Sequence, residues 1–89
     1  MEYAWNEAKR RSNLVKHGVD FAEVQRFDWA TAYERLDTRK SYGESRWKTL
    51  GMIGTRLHAL IFTRRGERTR IISLRKASDK EMDVYEKAS

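Results

Sequence analysis

The sequence predicts an α+β fold: a small antiparallel β-sheet of about four strands in a meander, joined by an N-terminal strand. Two helices precede the meander and one follows it. Three observations carry this. Two β-type runs, Leu57–Thr63 and Arg68–Arg75, flank the short link Arg64-Arg65-Gly66-Glu67, where Gly66 can supply the positive φ of a hairpin turn. Helix-start signatures stand at Asn6, Asp20 and Ser78, outside that hairpin. From Ala30 to Lys76 the chain reads as strands broken by one polar loop, Asp37–Glu44, and tight turns.

In chain order, Glu2–Trp5 suits a short strand. Asn6 is an N-cap whose side chain can accept from an unpaired first-turn amide, and Glu7 favours the positive helix end. This helix should run to about Lys16 and stop at Gly18, resting a thin apolar face of Ala8, Leu14 and Val15 on the core. Asp20-Phe21-Ala22-Glu23 reads as a capping box opening a second helix to about Phe27, with Phe21, Val24 and Phe27 in one stripe. Ala30–Leu36 alternates weakly, as an edge strand would, and Asp37–Glu44 is a polar loop. Ser45–Ile53 is the next strand, turned by Gly54-Thr55 into the Leu57 strand. Alternation places Arg70, Ile72 and Leu74 on one face of the last strand and Thr69, Ile71, Ser73 and Arg75 on the other. Ser78-Asp79-Lys80-Glu81 is a second capping box, with Met82 and Tyr85 on one face of the final helix.

Eighty-nine residues make one domain over 1–89 with a single modest core. The chain has no cysteine, so disulfides and thiolate metal sites are excluded, and a cytoplasmic location is expected. Nothing resembles a signal peptide, and the apolar run Ala59–Phe62 is too short to span a membrane. Charge is segregated. Between Ser45 and Ser78 nine Lys or Arg face one acid, Glu67, whereas the rest of the chain is slightly acidic although the whole carries +6. An anionic partner is the simplest reason, with nucleic acid first because Trp47, His58 and Phe62 stand among the bases. Seven bases between Arg56 and Lys76 are expected to crowd one sheet face. A non-catalytic nucleic-acid-binding module and a domain whose basic face serves an acidic protein stay open as alternatives.

Longer strings are more specific. Lys16-His17-Gly18-Val19 with Phe21, Gly43-Glu44-Ser45-Arg46, Phe62-Thr63, Arg70-Ile71-Ile72-Ser73-Leu74-Arg75-Lys76-Ala77, and Glu81 with Tyr85 resemble the BrnT family of bacterial toxins. The likeness runs in order over nearly the whole chain. It departs at Trp5-Asn6, Asp28-Trp29, Leu74 and Met82, where the family usually has Trp-Asp, Asp-Pro, Ala and Arg. The resemblance implies a RelE-like fold and a ribonuclease that arrests growth. It also implies a BrnA-type ribbon-helix-helix antitoxin, through which operator DNA is bound.

Cutting RNA without a metal needs a base for the 2′-hydroxyl, an acid for the departing 5′-oxygen and cations on the phosphate. No cluster at metal-ligand spacing is present, so no metal and no cofactor are expected. The catalytic candidates are His17, Glu44, Arg46 and Arg75. Glu44 and Arg46 share a strand face, either as base and phosphate grip or as a surface ion pair. His17 is either a proton carrier or a helix-end histidine favoured by the dipole, and the choice of base between His17 and Glu44 stays open. His58 reads as a core-edge residue. Arg75 offers a planar fork on a rigid strand, suited equally to phosphate and to an antitoxin carboxylate. Lys16, Arg70 and Lys76 are expected substrate or partner contacts, and Tyr85 either stacks a base or closes the core.

Overall fold

A computed structural model describes residues 1–38 and 43–88. Its elements are β1 (Glu2–Ala4), α1 (Glu7–His17), a 3₁₀ helix (Phe21–Arg26), β2 (Tyr33–Leu36), β3 (Trp47–Ile53), β4 (Arg56–Arg65), β5 (Arg68–Lys76) and α2 (Asp79–Ala88). The strands form one five-stranded sheet in the order β1-β5-β4-β3-β2. Strands β2 to β5 are the expected antiparallel meander, whereas β1 joins β5 in parallel, Tyr3 beside Thr69. The sheet is therefore mixed. The middle of the expected Asp37–Glu44 loop, residues 39–42, lies outside the described residues.

Local signals explain most boundaries. Asn6 caps α1 by accepting from the Lys9 amide at 3.1 Å, and Gly18 ends it at φ 71°, its N–H bonded to the Leu14 carbonyl. Gly66 takes φ 62° in the two-residue turn between β4 and β5. The Ser78 box forms in full: the Glu81 amide donates to Ser78 Oγ at 3.2 Å, and the Ser78 amide donates to Glu81 Oε1 at 2.9 Å. Ser78→Ala is therefore expected to cost about 1 kcal/mol. In a chain this small that lowers Tm by roughly 4–8 °C in thermal unfolding; an unchanged Tm would mean that Ser78 Oγ does not hold the helix start.

The expected box at Asp20 does not form. Its carboxylate accepts from the Ala22 amide at 2.9 Å and from Arg10 on α1 at 2.9 Å, while Glu23 turns to Arg26. The tight 3₁₀ turn brings residue 22 into reach instead of residue 23. The stripe Phe21, Val24 and Phe27 is buried as expected.

The core has two parts, one on each side of the sheet. Leu60 and Phe62 of β4 alternate with Leu57 and Ala59, so the pairs face opposite ways. Leu60 and Phe62 pack under Phe21, Val24 and Phe27; Gly51 lacks a Cβ where the Phe27 ring lies against the sheet. Leu57 and Ala59 pack with Leu50 and Ala77 against Met82 and Tyr85 of α2.

Two expectations about faces fail. The buried residue of α1 is Asn13, whereas Leu14 is 40% and Val15 89% exposed. Past the end of β1 the outer edge of β5 has no strand partner, and α1 covers it with one side-chain amide. Asn13 Nδ2 donates to the carbonyls of Leu74 (2.7 Å) and Val19 (3.0 Å), and Oδ1 accepts from the Leu74 amide (3.3 Å) and Ser73 Oγ (3.4 Å). A polar anchor thus replaces the expected apolar face. The second failure lies in β5, where Ile61 pairs with Ser73 but Phe62 pairs with Ile71. Ile72 is an extra residue, a β-bulge. Ile71 and Leu74 consequently share the face of the first core, and Arg70 and Arg75 share the opposite face, overturning strict alternation.

Candidate active site

That opposite face, onto which α2 sends Glu81, collects cations from both flanks of β4, from β3 and from β5. Lys48, Ile61 and Ser73 lie side by side, and Arg75 follows beside Ala59 and Leu50. In the other direction Arg70 lies beside Thr63, and alternation from Trp47 puts Arg46 on the same side. Arg46, Lys48, Arg70 and Arg75 thus frame Ile61 and Ser73 in an area of roughly 10 by 13 Å. Lys48 and Arg75 are about one-third exposed and Arg46 somewhat less.

Two carboxylates meet the frame: Glu81 bridges Lys48 and Arg75 across it, and Glu44 stands at its Arg46 corner. Glu81, nine-tenths buried, reaches down from the first turn of α2. Arg75 Nη1 and Nη2 donate to its two oxygens at 2.7 and 2.9 Å, and Lys48 Nζ lies 2.5 Å from Oε2. The Arg75 fork, with Lys48 and the Ser78 amide, outweighs burial and holds this carboxyl far below the usual range. Glu44 accepts from Arg65 Nη2 at 2.9 Å and stands 3.7 Å from Arg46 Nε. Arg65 first, and then Arg46, lower its pKa against burial, so Glu44 is an ionised partner of arginines.

The four catalytic candidates do not converge. Glu44 sits at the β4–β5 turn beside Arg65, six residues along β4 from the Ala59 that pairs with Arg75, or roughly 20 Å away. His17 lies at the Arg75 end. It lines a cleft of about 190 Å³ between α1 and the outer edge of β5, together with Lys9, Ser12, Asn13, Lys16, Ile72 and Ser73. Its pKa falls below the ordinary histidine value through burial first, then the charges of Lys16 and Arg75. His17 is therefore neutral at neutral pH. Asn13, one turn earlier, ties α1 to β5 through Leu74 and Ser73.

The remaining candidates scatter. Lys16 and Lys76 are exposed and Arg70 is half-buried. Lys76 pairs with His58 on the first-core face. Arg64 also lies there, its guanidinium 4.8 Å from the Phe62 ring and 5.9 Å from Trp47. The bases of β4 and β5 are thus divided between two faces, against the expectation of one. Tyr85 packs on the second core. His58 is buried, its Nδ1 2.9 Å from the Arg56 carbonyl, and burial lowers its pKa. None of Lys48, Glu81 and Asn13 is named as a site residue in the sequence reading. Glu81 carried a signal, since a capping box that opens three residues after Arg75 turns its carboxylate back toward the strand end; Asn13 carried none. Among the described residues no three His, Asp or Glu gather as a metal site, and no helix is long and apolar enough to cross a membrane.

A family model described as "Ribonuclease toxin, BrnT, of type II toxin-antitoxin system" matches residues 5–81. The match takes in the whole cationic frame, His17, Glu44 and Glu81. No curated protein matches the chain.

Proposed function

The chain belongs to the BrnT family of ribonuclease toxins of type II toxin–antitoxin systems, and from that premise we propose that it cuts single-stranded RNA without a metal on the face framed by Arg46, Lys48, Arg70 and Arg75. The observation that carries this reading is the frame itself: four cations, from β3 and the residue before it and from β5, around a small floor of Ile61 and Ser73. It suits a phosphate with charge building on its oxygens. Arg75 and Arg70 hold the scissile phosphate. Neutral His17, at the edge beside Arg75, accepts the proton of the 2′-hydroxyl; the 2′-oxygen bonds to phosphorus, and the 5′-oxygen leaves with a proton from solvent. The products are a 2′,3′-cyclic phosphate and a 5′-hydroxyl. Glu44, ion-paired and acidic, orients Arg46 and Arg65 and is not the base. Arg46 steadies the flanking strand, while Lys16 and Lys76 contact phosphates outside the scissile one; Tyr85 serves the core. The meander with its helices is read as RelE-like, in one domain acting in the cytoplasm.

A BrnA-type antitoxin with acidic and apolar residues neutralises the toxin by covering this face and, as a ribbon-helix-helix protein, carries the pair to operator DNA. Charge attraction speeds that association. The test incubates the purified chain with single-stranded RNA in EDTA over a pH series. Cutting is expected to persist in EDTA, to leave cyclic phosphate ends and to weaken at high salt as counterion release is lost. Because His17 titrates below its ordinary value of 6.5, kcat/KM should rise through the acid range and level off before neutrality. Loss of cutting in EDTA would overturn the metal-free route. Retention of uncut RNA on a gel would leave a binding module without chemistry.

A further inference from the structure

The cleft between α1 and β5 holds, besides His17, a set of residues that the cutting step does not use. Lys9, Ser12, Asn13 and Lys16 stand at positions i, i+3, i+4 and i+7, one stripe of α1 facing the outer edge of β5. Ser73 closes the cleft from the strand. No acid lines it. The acids nearest in sequence are engaged elsewhere, Glu7 and Asp20 both with Arg10. Among the described residues neither Lys9 nor Lys16 makes an ion pair, whereas Arg75 and Lys48 lean on Glu81, Arg46 and Arg65 on Glu44, and Arg64 on Glu34. The positive field of this cleft is therefore uncompensated, which is what a bound anion requires. The carbonyl end of α1 opposes an anion by about half a charge, which two lysines outweigh.

The cleft also adjoins the cutting face. Ser73 belongs to both, as the floor of the frame and the wall of the cleft, and the Arg75 charge is felt at His17 inside the cleft. Beyond Ala4 this edge is flanked by α1, which holds Leu74 and Ser73 through Asn13 and leaves Ile72 and Ser73 lining the cleft. We propose that this cleft is a second phosphate subsite, in which Lys9, Ser12 and Lys16 hold the phosphate next to the one that is cut. The inference rests on the ribonuclease reading and adds to it a direction: the RNA strand crosses the outer edge of β5, passing His17 on the way.

The test is equilibrium binding of an uncleavable, fluorescent single-stranded RNA dodecamer with 2′-O-methyl riboses, measured against salt. Three proteins are compared: wild type, the double variant Lys9→Gln/Lys16→Gln, and a charge-matched control, Arg26→Gln/Lys87→Gln. All four side chains are exposed, so folding is expected to be kept. Losing one phosphate contact should flatten the slope of log K against log salt by about 0.7 and weaken low-salt binding ~10-fold in the cleft variant, with the control keeping the wild-type slope. An unchanged slope in the cleft variant, or an equal loss in the control, would overturn the subsite while leaving the ribonuclease reading intact. A wild type that neither binds nor cuts RNA would overturn both. Should the cleft variant lose affinity for the antitoxin but hold RNA as wild type does, the cleft is a protein contact and the subsite is wrong.

Discussion

Arg75→Ala is expected to lower the rate of RNA cutting by roughly 10²–10³, the loss that follows removal of one fixed donor from a developing oxyanion. On the proposed reading the guanidinium has two tasks, and they can be separated. Toward the protein it forms a fork with Glu81 at 2.7 and 2.9 Å. Toward solvent it is about 30% exposed, so it can meet a phosphate from the open side. Arg75→Ala leaves Glu81 still held by Lys48 and the Ser78 amide. Its cost in stability is therefore modest, about 1–2 kcal/mol after screening of partly exposed partners. Glu81→Gln supplies the contrast. It keeps the shape of the capping box, removes the carboxylate, and should cost about 1–3 kcal/mol because Glu81 itself is nearly buried. The sign with pH is fixed by the lowered carboxyl: its contribution is present above the ordinary carboxylate range and is lost as pH falls through and below it. Acid unfolding of Glu81→Gln should thus be flatter than that of the wild type. Cleavage assays at temperatures well below both melting points read the first task, and unfolding curves at pH 7 and pH 3 read the second. Cutting by Arg75→Ala at the wild-type rate would remove Arg75 from the chemistry and leave it a brace for α2.

The largest loss of stability is expected from Asn13→Ala, about 2–4 kcal/mol. All four hydrogen-bonding positions of this amide are used, three of them on backbone groups of Val19 and Leu74. Asn13 is 7% exposed, so alanine leaves those groups buried without partners. Each such orphan costs about 1–3 kcal/mol, partly relieved if water enters the adjoining cleft. In a chain this small, Tm should fall by roughly 10–25 °C. Asn13→Asp should do no better, because a carboxylate would face the carbonyls of Val19 and Leu74. The same change should also loosen His17, four residues further along α1, and so lower kcat more than it raises KM at a temperature where the variant is folded. Thermal unfolding followed by circular dichroism decides the matter. A fall of less than 5 °C would show that α1 is held by something other than this amide.

Some of this molecule could be read from local rules. Asn6, Gly18, Gly66 and Ser78 act on backbone groups within a few residues of themselves, and they placed the ends of α1, the β4–β5 turn and the start of α2. The apolar stripe of Phe21, Val24 and Phe27 needed only helical spacing, and the meander needed only alternation and turn residues. The segregated charge pointed to an anionic partner, and the motif strings pointed to the BrnT family.

Other features depend on pairing between distant parts of the chain, and no short window contains them. β1 joins β5 across more than sixty residues, and it is where β1 stops that leaves an edge for α1 to cover with Asn13. The bulge at Ile72 exists only in the register of β5 against β4; strict alternation had placed Arg70 and Arg75 on opposite faces, and one extra residue brought them together. Lys48 entered the site because β3 pairs with β4, and Glu81 because α2 folds back over that face. Glu44 and His17 looked like alternatives for one role until the sheet set them at opposite ends. Capping and turn formation are short-range, so composition and spacing decide them. Which charges share a face is decided by strand register and by burial, and those are settled only when the whole sheet closes.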